Sequence, residues 1–324
     1  MATAETKKTA RPVRELPIEF TWYEGDWYDL FERQIVLIQD ELKRAQAEDR
    51  VIVYLSCPIS SRGGGHSRTN VEVALHTARR LMNRWGERFY ILNPAQYQME
   101  SKEGAGLFER HAEDLKIDSA KLKGKPEGGD YMRMWTRVLA EDKYLKRRPP
   151  KRGKQNRAEP DPRPGMNLGG LFDAFYFLAP SDVHDFFVGE SHLSVTAAVE
   201  EYFARKYAAD PEFRKTYDFE ELQEEGKEKK DRKERPLDLR DKADAEVWES
   251  KRKEFFRFYA VRASANYSLG SHDEWNILQL INAFRLASKE YGMGEQIAGY
   301  YDGKQIAPGA AEMPISNGYG KVLH

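Results

Sequence analysis

Residues 51–92 carry the pattern that most limits the fold of this chain. A short apolar run rich in β-branched residues, 51–57, predicts a buried strand, and residues 88–92 predict a second one. Between them lie three consecutive glycines and a segment, 70–85, whose apolar residues have helical spacing. A strand, a helix and a strand in this order form a right-handed crossover between parallel strands. The pattern therefore predicts an α/β protein with a parallel sheet.

The rest of the chain adds further elements and divides by composition. The predicted elements are helices at 27–48, 131–145, 194–207, 254–267 and 274–291, and a third strand at 172–178. Residues 1–49 are interpreted as an arm and a helix, and 50–210 as the α/β core. A stretch dense in Lys, Arg and Pro, 143–168, is interpreted as a solvated insertion in that core. Residues 211–324 are predicted to form a charged helical region that packs on the core or on a second subunit.

Composition and charge exclude several classes of protein. The 324 residues are 40% apolar and 32% charged with a net charge of −1, which argues against nucleic-acid binding by the whole molecule. The basic insertion could bind a polyanion, but Tyr144 is its one aromatic residue for stacking on bases. No apolar stretch approaches the ~20 residues that span a bilayer, and residues 1–17 have no apolar leader core. We therefore expect a cytoplasmic protein with no membrane partner.

The cysteine and histidine residues predict no disulfide and no metal site. Cys57 is the only cysteine, and its place at a strand end favours a small buried residue over a nucleophile. His184 and His192 are eight residues apart and have no metal-ligand motif around them. The sequence therefore predicts neither a metal nor another cofactor.

The glycine-rich loop matches neither of the common nucleotide fingerprints. Gly63, Gly64 and Gly65 are not followed by the lysine of a Walker loop, and the third glycine of a Rossmann loop is missing. Even so, glycines let a ligand approach the backbone, and the following helix offers its N-terminus to a phosphate. Ser60, Ser61 and Arg62 add donors that suit phosphate oxygens. A surface loop without a ligand is the alternative interpretation, and both stay open here.

A glutamate on the helix at 194–207 is the candidate reactive group. Glu200 shares a helix face with Thr196 at the margin of the apolar stripe, and Ser194 lies at the helix N-terminus. Ligands of open α/β sheets bind at the carboxyl ends of the strands, so Glu200 and the glycine loop are predicted to face one crevice. The alternative is an ordinary half-buried surface glutamate.

Several short segments together resemble the nucleoside 2-deoxyribosyltransferase superfamily. They are YLSCPIS, YILNPAQY, DYM, FDAFYFLAPSD and SVTAAVE, and the hydrolytic branch, the nucleoside 5′-monophosphate N-glycosidases, is the nearer comparison. The resemblance implies a flavodoxin-like, doubly wound parallel sheet, with helical N- and C-terminal additions in this chain. It also implies a homo-oligomer.

The resemblance implies roles for particular residues. Members of the superfamily commonly show an S/D-x-G-x-x-x-E pattern at the start of a helix, and residues 194–200 have this spacing with Thr196 in the glycine position. The pattern makes Glu200 the nucleophile and gives Ser194 a role in holding the 5′-phosphate. The substrate-binding set that we predict is Tyr54, Ser60, Ser61, Arg62, Gly63, Gly64, Gly65, Asn93, Asp173, Asp182, Ser194 and Thr196.

One departure from the superfamily affects the catalytic acid. Trp135 stands where relatives often carry a catalytic aspartate after the tyrosine of their DYM-like segment. Asp130, Asp142 and Asp182 are the candidates that could protonate the leaving base instead. For Tyr54 and Trp135, packing in the core is the alternative to stacking on a base.

Three functions are compatible with the sequence. The first is an N-glycosidase that hydrolyses the base–sugar bond of a nucleoside 5′-monophosphate or a related nucleotide through a glutamate nucleophile. The second is an NAD glycohydrolase, which would release nicotinamide. The third is a nucleotide-binding or scaffold protein without catalysis, favoured by Trp135 and by the long additions to the core.

Overall fold

The computed structural model describes most of the predicted core. The described residues are 19–20, 26–122, 124–140, 146–147, 170–189, 191–221, 234–287 and 295–307, and the side chain of Arg62 is not among the described atoms. Of the basic insertion, 143–168, only residues 146–147 belong to this set, and Asp142 lies outside it.

The central sheet has five strands, four of them parallel. The strands of the described chain are β1 (Glu19–Phe20), β2 (Val51–Ser56), β3 (Phe89–Leu92), β4 (Lys146–Arg147), β5 (Ala174–Phe177), β6 (Phe219–Glu221), β7 (Glu234–Pro236), β8 (Ala298–Tyr301) and β9 (Lys304–Ile306). The order in the sheet is β3-β2-β5-β8-β9, and only β9 is antiparallel to its neighbour. Two short pairs, β1 with β4 and β6 with β7, lie apart from it.

Helices flank the sheet in the connections between its strands. They are α1 (Tyr28–Ala47), α2 (Ser67–Trp85), α3 (Lys102–Leu115), α4 (Gly128–Ala140), α5 (Pro180–Val188), α6 (Val195–Ala209), α7 (Pro211–Asp218), α8 (Lys242–Arg257) and α9 (Leu269–Ala287). A π-helical turn, Phe258–Arg262, and a 3₁₀ turn, Ala265–Tyr267, connect α8 to α9, so the single helix predicted at 254–267 is interrupted.

Each face of the sheet has its own apolar core because side chains of a strand alternate between the two faces. Tyr54 packs in a cluster with α1, α3, α4 and α9, whereas Val53 and Leu55 pack in a second cluster with α2 and with α5 to α8. Helices therefore cover both faces. This arrangement confirms the predicted α/β class with a mostly parallel sheet.

The sheet continues beyond residue 210, in a part of the chain that was predicted to be helical. β8 pairs in parallel with β5, and β9 folds back on β8 through Asp302 and Gly303. Both turn residues have positive φ angles, 52° and 69°, which is the backbone of a tight Asp-Gly hairpin. The last region therefore supplies strands to the central sheet as well as helices.

The order of the strands reverses between β2 and β5, and the chain itself covers this place. β3, the strand after β2, lies on one side of β2, and β5 lies on the other. Carboxyl ends of strands at such a reversal commonly hold ligands. Here Ala263 packs in the core on the α2 face and Ala265 in the core on the α9 face, so the connection crosses this edge of the sheet. The Ala265 N–H donates to the Leu178 carbonyl at 2.8 Å, just after β5.

The same connection packs tightly on the glycine loop. A Cβ atom added to Gly64 would lie 2.8 Å from the Glu254 carbonyl oxygen, and one added to Gly65 would lie 2.8 Å from the Phe258 ring. The Tyr259 hydroxyl accepts from the His66 N–H at 3.0 Å and reaches Asn70 Oδ1 at 2.8 Å. The end of α8 therefore packs directly on the loop. Glycine is needed at positions 64 and 65 because the loop backbone lies so close to Glu254 and Phe258.

Substitution of Gly65 tests this packing. Gly65→Ala should lower the free energy of unfolding by about 1–3 kcal/mol, because the added methyl group overlaps the Phe258 ring. Gly129→Ala is the matched control: no atom lies within 4 Å of its added Cβ, and alanine favours the helix. Urea denaturation measures both. Equal stability of Gly65→Ala and the parent protein would contradict the contact.

Candidate functional site

A buried carboxyl group lies against the central strand at its carboxyl end. Glu274 of α9 is 5% exposed. The Tyr54 hydroxyl donates to Glu274 Oε1 at 2.6 Å, and the Ser56 hydroxyl donates to Oε2 at 2.5 Å. Tyr54 and Ser56 are two residues apart on β2, so both point to the α9 face of the sheet. Both carboxyl oxygens are thus held by one strand beside the β2–β5 reversal.

Small residues at the start of α9 bring Glu274 to this place. Ser268 precedes the helix, and its hydroxyl accepts from the Ser271 N–H at 3.2 Å, as an N-terminal cap does. A Cβ atom added to Gly270 would lie 3.3 Å from the Met132 sulfur, so α9 begins in direct contact with α4. Glu274 follows one turn after Gly270 and meets the sheet.

Burial dominates the electrostatics of this carboxyl group. Loss of solvent raises the pKa of Glu274 to about 8, although hydrogen bonds from Ser56 and Tyr54 favour the ionised form and neighbouring Asp273 opposes it. Burial first, and then the charge of Glu274, raise the pKa of the Tyr54 hydroxyl and of the Cys57 thiol. Glu274 therefore changes its charge near neutral pH, as reactive carboxyl groups of enzymes often do.

Two further polar groups lie directly after the ends of β2 and β3. Cys57 follows Ser56, and its sulfur lies 3.8 Å from Asn93 Oδ1 at the end of β3. Asn93 Oδ1 also accepts from the Ala95 N–H at 3.0 Å. Both residues are buried. Of the two predicted substrate-binding residues here, Tyr54 contacts Glu274. Asn93 instead lies beside Cys57, which packs in the core on the α2 face.

The predicted phosphate loop lies at the same edge but under α8. Ser60 and Ser61 are exposed, and the Ser60 carbonyl accepts from Asn70 Nδ2 at 2.9 Å. Gly63, Gly64 and Gly65 face Glu254 and Phe258. The gap between the loop and the π-helical turn, lined by Pro58, Asn70 and Tyr259 among others, has essentially no internal volume that a water molecule could occupy, so it is not a ligand pocket.

The structure does not bring Glu200 and the glycine loop together. Arg68, directly after the loop, lies 4.0 Å from Asp210 at the C-terminal end of α6. Glu72, one turn further along α2, accepts from the Tyr202 hydroxyl at 2.9 Å. α6 therefore runs antiparallel to α2, and its N-terminal end lies about 24 Å along the axis from Asp210. Glu200 is exposed and lies on the turns between.

The other predicted residues of α6 have local roles. Ser194 and Thr196 are exposed. The Ser194 hydroxyl accepts from the Ala197 N–H at 3.3 Å, which caps the helix. Helix capping explains the serine at this position without a phosphate.

Asp173 and Asp130 both accept backbone hydrogen bonds. Asp173 precedes β5 and accepts from the Ile52 N–H at 2.7 Å, at the amino end of the sheet and away from Glu274. Asp130 accepts from the Glu127 N–H at 2.9 Å and pairs with Arg133 at 2.9 Å in the first turn of α4. Two residues later Met132 meets Gly270, so Asp130 lies at the end of α4 that faces the start of α9.

The Asp182 carboxyl group forms hydrogen bonds and an ion pair on the opposite face of the sheet. It accepts from the Ala179 N–H at 2.8 Å and from the Tyr176 hydroxyl at 2.9 Å, and it pairs with Arg80. Tyr176 belongs to the core on the α2 face, whereas Glu274 meets the α9 face. Asp182 therefore holds the start of α5 and is not among the neighbours of Glu274.

The sequence analysis missed Glu274, although a signal for it was present. Residues 268–274, SLGSHDE, have the S-x-G-x-x-x-E spacing of the superfamily with the glycine in place. The copy at 194–200 lacks that glycine. Only the structure distinguishes the two, because it places Glu274 against β2 and leaves Glu200 on an exposed surface.

Comparison with protein-family models, curated proteins and solved structures found no significant match. Within the described ranges, every helix is too short or too polar to cross a membrane. In the same residues, no group of three or more His, Cys, Asp and Glu side chains is arranged to hold a metal ion.

The raised pKa of Glu274 predicts a pH-dependent stability. Between the usual carboxyl pKa near 4.5 and about 8, the folded chain keeps a proton on Glu274 that the unfolded chain has released. Stability should therefore fall as pH rises through this window, by up to about 1.4 kcal/mol per pH unit. Glu274→Gln should remove this part of the slope.

Urea denaturation at several pH values measures the effect. Glu200→Gln is the control, because Glu200 is exposed and its replacement should leave the slope of the parent protein unchanged. Identical slopes for the parent and Glu274→Gln would show that Glu274 ionises normally.

Proposed function

We propose that this chain cleaves the N-glycosidic bond of a nucleoside 5′-monophosphate or a related nucleotide, with Glu274 as the nucleophile. The observation that carries the proposal is the S-x-G-x-x-x-E segment at 268–274, whose glutamate has both oxygens bound by Tyr54 and Ser56 beside the strand reversal. The strand order supports the flavodoxin-like, doubly wound core that the resemblance implies.

The proposed reaction has two steps. A Glu274 oxygen bonds to the anomeric carbon as the bond to the base nitrogen breaks, and the electron pair leaves with the base, which takes up a proton. Water then attacks the glycosyl ester, which releases the sugar and restores the carboxylate. The Tyr54 and Ser56 hydroxyls hold the carboxylate in place for both steps.

Asp130 is the proposed proton donor among the three candidates from the sequence. Its helix lies on the same face of the sheet as α9, and its helix end meets the start of α9. Asp182 lies on the opposite face of the sheet, and Asp142 lies outside the described residues.

A specific observation favours a second function, nucleotide binding without catalysis. Glu274, Tyr54, Ser56 and Asn93 are all buried, and the connection from α8 to α9 crosses the edge at which a substrate would enter. Turnover needs this connection to open in every cycle for substrate and products, whereas a protein that only binds needs it to open once for each bound nucleotide. Turnover distinguishes the two functions.

A substrate panel tests the reaction. The purified chain is incubated with ribo- and deoxyribonucleosides, their 5′-monophosphates and NAD, and the products are separated by chromatography with mass detection. We expect free base from at least one nucleoside or monophosphate, and a loss of roughly a thousandfold or more in Glu274→Gln. Glu200→Gln should keep full activity, and Asp130→Asn should be slower than the parent.

Each other outcome contradicts part of the proposal. Nicotinamide as the only product would make the protein an NAD glycohydrolase. Loss of activity in Glu200→Gln, with activity kept in Glu274→Gln, would move the nucleophile to α6. Ligand-induced stabilisation of the folded chain without any product would support the binding protein.

The pH dependence of the reaction follows from the ionisation of Glu274. A carboxylate nucleophile must be ionised, so kcat/KM should rise about tenfold per pH unit up to a pH near 8. Tyr54→Phe removes one hydrogen bond that favours the ionised form, so it should move this rise to higher pH. A rate that falls as pH rises through 8 would instead make protonated Glu274 a general acid.

A further inference from the structure

Part of the connection between α8 and α9, residues 260–267, is bonded to the strand ends that hold Glu274; we call it the cover segment. Its Ala265 N–H donates to the Leu178 carbonyl at 2.8 Å. The Leu178 N–H in turn donates to the Ser56 carbonyl at 2.9 Å, and the Ser56 hydroxyl donates to Glu274 Oε2 at 2.5 Å. A short series of hydrogen bonds thus joins the cover segment to the buried carboxyl group.

Two further polar contacts hold the cover segment in place. The Ala260 carbonyl accepts from His184 Nε2 at 3.1 Å, and Asn266 Nδ2 donates to the Tyr301 hydroxyl at 3.1 Å. Asn266 Oδ1 is buried and has no hydrogen-bond partner among the described residues. Because a buried acceptor without a partner costs free energy, the closed position of the segment is only partly satisfied.

The side chains that the cover segment buries are small. Ala263, Ser264 and Ala265 are buried, whereas its two bulky apolar side chains, Val261 and Tyr267, are 67% and 58% exposed. The free energy of burial grows with apolar area, so little of it is lost when this segment lifts. Segments with few buried apolar contacts open locally at a lower free energy than global unfolding.

The chain on either side of the cover segment is anchored more firmly. Before it, Phe258 and Tyr259 are buried, and the Tyr259 hydroxyl reaches Asn70 Oδ1 at 2.8 Å. After it, α9 begins in direct contact with α4, because Gly270 lies against Met132. Both ends can therefore stay in place while the residues between them move.

We propose that the cover segment is a gate, which opens locally while the sheet and the helices stay folded and thereby uncovers Glu274. Opening breaks the hydrogen bonds of Ala265 with Leu178 and of Asn266 with Tyr301. It also moves Ala265 out of the core on the α9 face. The inference rests on the proposed function for the role of Glu274, but the opening itself can be measured without a substrate.

Hydrogen–deuterium exchange with mass spectrometry tests the gate at urea concentrations below the unfolding transition. We expect the amides of residues 260–268 to exchange at a rate that does not depend on urea. Peptides from β2 and β5 should stay protected under the same conditions, because they exchange through global unfolding.

A matched pair of variants identifies the contact that holds the gate. Tyr301→Phe removes the acceptor of the Asn266 amide group, so it should speed exchange of residues 260–268 about fivefold, which corresponds to roughly one hydrogen bond. Tyr207→Phe also removes a bonded hydroxyl, but one that binds Asp218 away from the gate, and it should leave this exchange unchanged. Circular dichroism verifies that both variants are folded.

Chemical modification measures whether the opening uncovers Glu274. The parent protein and both variants are treated with a water-soluble carbodiimide and an amine, and the initial rate of labelling at Glu274 is followed by peptide mass spectrometry. The rate should rise in Tyr301→Phe by the same factor as the exchange of residues 260–268, and it should stay unchanged in Tyr207→Phe.

The outcomes separate the gate from the proposed function. Exchange of residues 260–268 only together with β2 would overturn the gate, and so would labelling of Glu274 that does not follow this exchange. If the segment opens as expected but the parent protein cleaves no nucleotide, the gate stands and the proposed function fails. If the parent cleaves a nucleotide without local opening of the segment, the gate fails and the function stands.

Discussion

The contact of the Glu274 carboxyl group with Tyr54 and Ser56 joins the last long helix to the central strand of the sheet. All three side chains are buried, and the carboxyl group finds its two hydroxyl donors only when α9 lies across the carboxyl end of β2. A buried carboxyl group without such donors would be strongly destabilising. The contact therefore specifies how the C-terminal part of the chain meets the core.

The same constraint accounts for the glycines on either side of this contact. Gly270 lets α9 begin against Met132, and Gly64 and Gly65 let the end of α8 lie on the loop after β2. Aromatic packing fixes α8 there: Phe255 lies 5.2 Å from Phe203 and 4.6 Å from Tyr259, measured between ring centroids. These close contacts determine how the chain between α8 and α9 crosses the ends of the strands.

A buried carboxyl group whose pKa lies close to neutral pH is compatible both with a stable fold and with a reactive role. The proton neutralises the carboxyl group, which lowers the free-energy cost of burying it. The two hydroxyls favour the ionised form, which a nucleophile requires. The cost is access, because the side chains that hold Glu274 are closed off from solvent. Under the proposed function, substrate entry depends on the connection between α8 and α9, whose π-helical turn is of a kind frequent at functional sites.

Local patterns in the sequence predicted the parallel core, but they did not predict the site. The strand–glycine–helix–strand unit and the third strand are visible because their apolar residues repeat with clear periods. β8 and β9 are short, and their Asp-Gly turn lies in a stretch rich in glycine that does not look like a strand. Glu274 and Glu200 have the same seven-residue spacing, and the choice between them depends on which helix meets β2. Glu274 and Ser56, which form this contact, are 218 residues apart along the chain, so no local pattern encodes it.

The most direct test of the account is to trap the covalent intermediate. Fluorine at the 2′ position slows both steps, because both transition states resemble an oxocarbenium ion. A 2′-fluoro nucleoside 5′-monophosphate with a good leaving base keeps the first step the faster one, so the glycosyl ester should accumulate and can be located by peptide mass spectrometry. The account predicts added glycosyl mass on the peptide that contains Glu274 and no addition in Glu274→Gln. Added mass on the peptide that contains Glu200, or turnover without any adduct on Glu274, would contradict it.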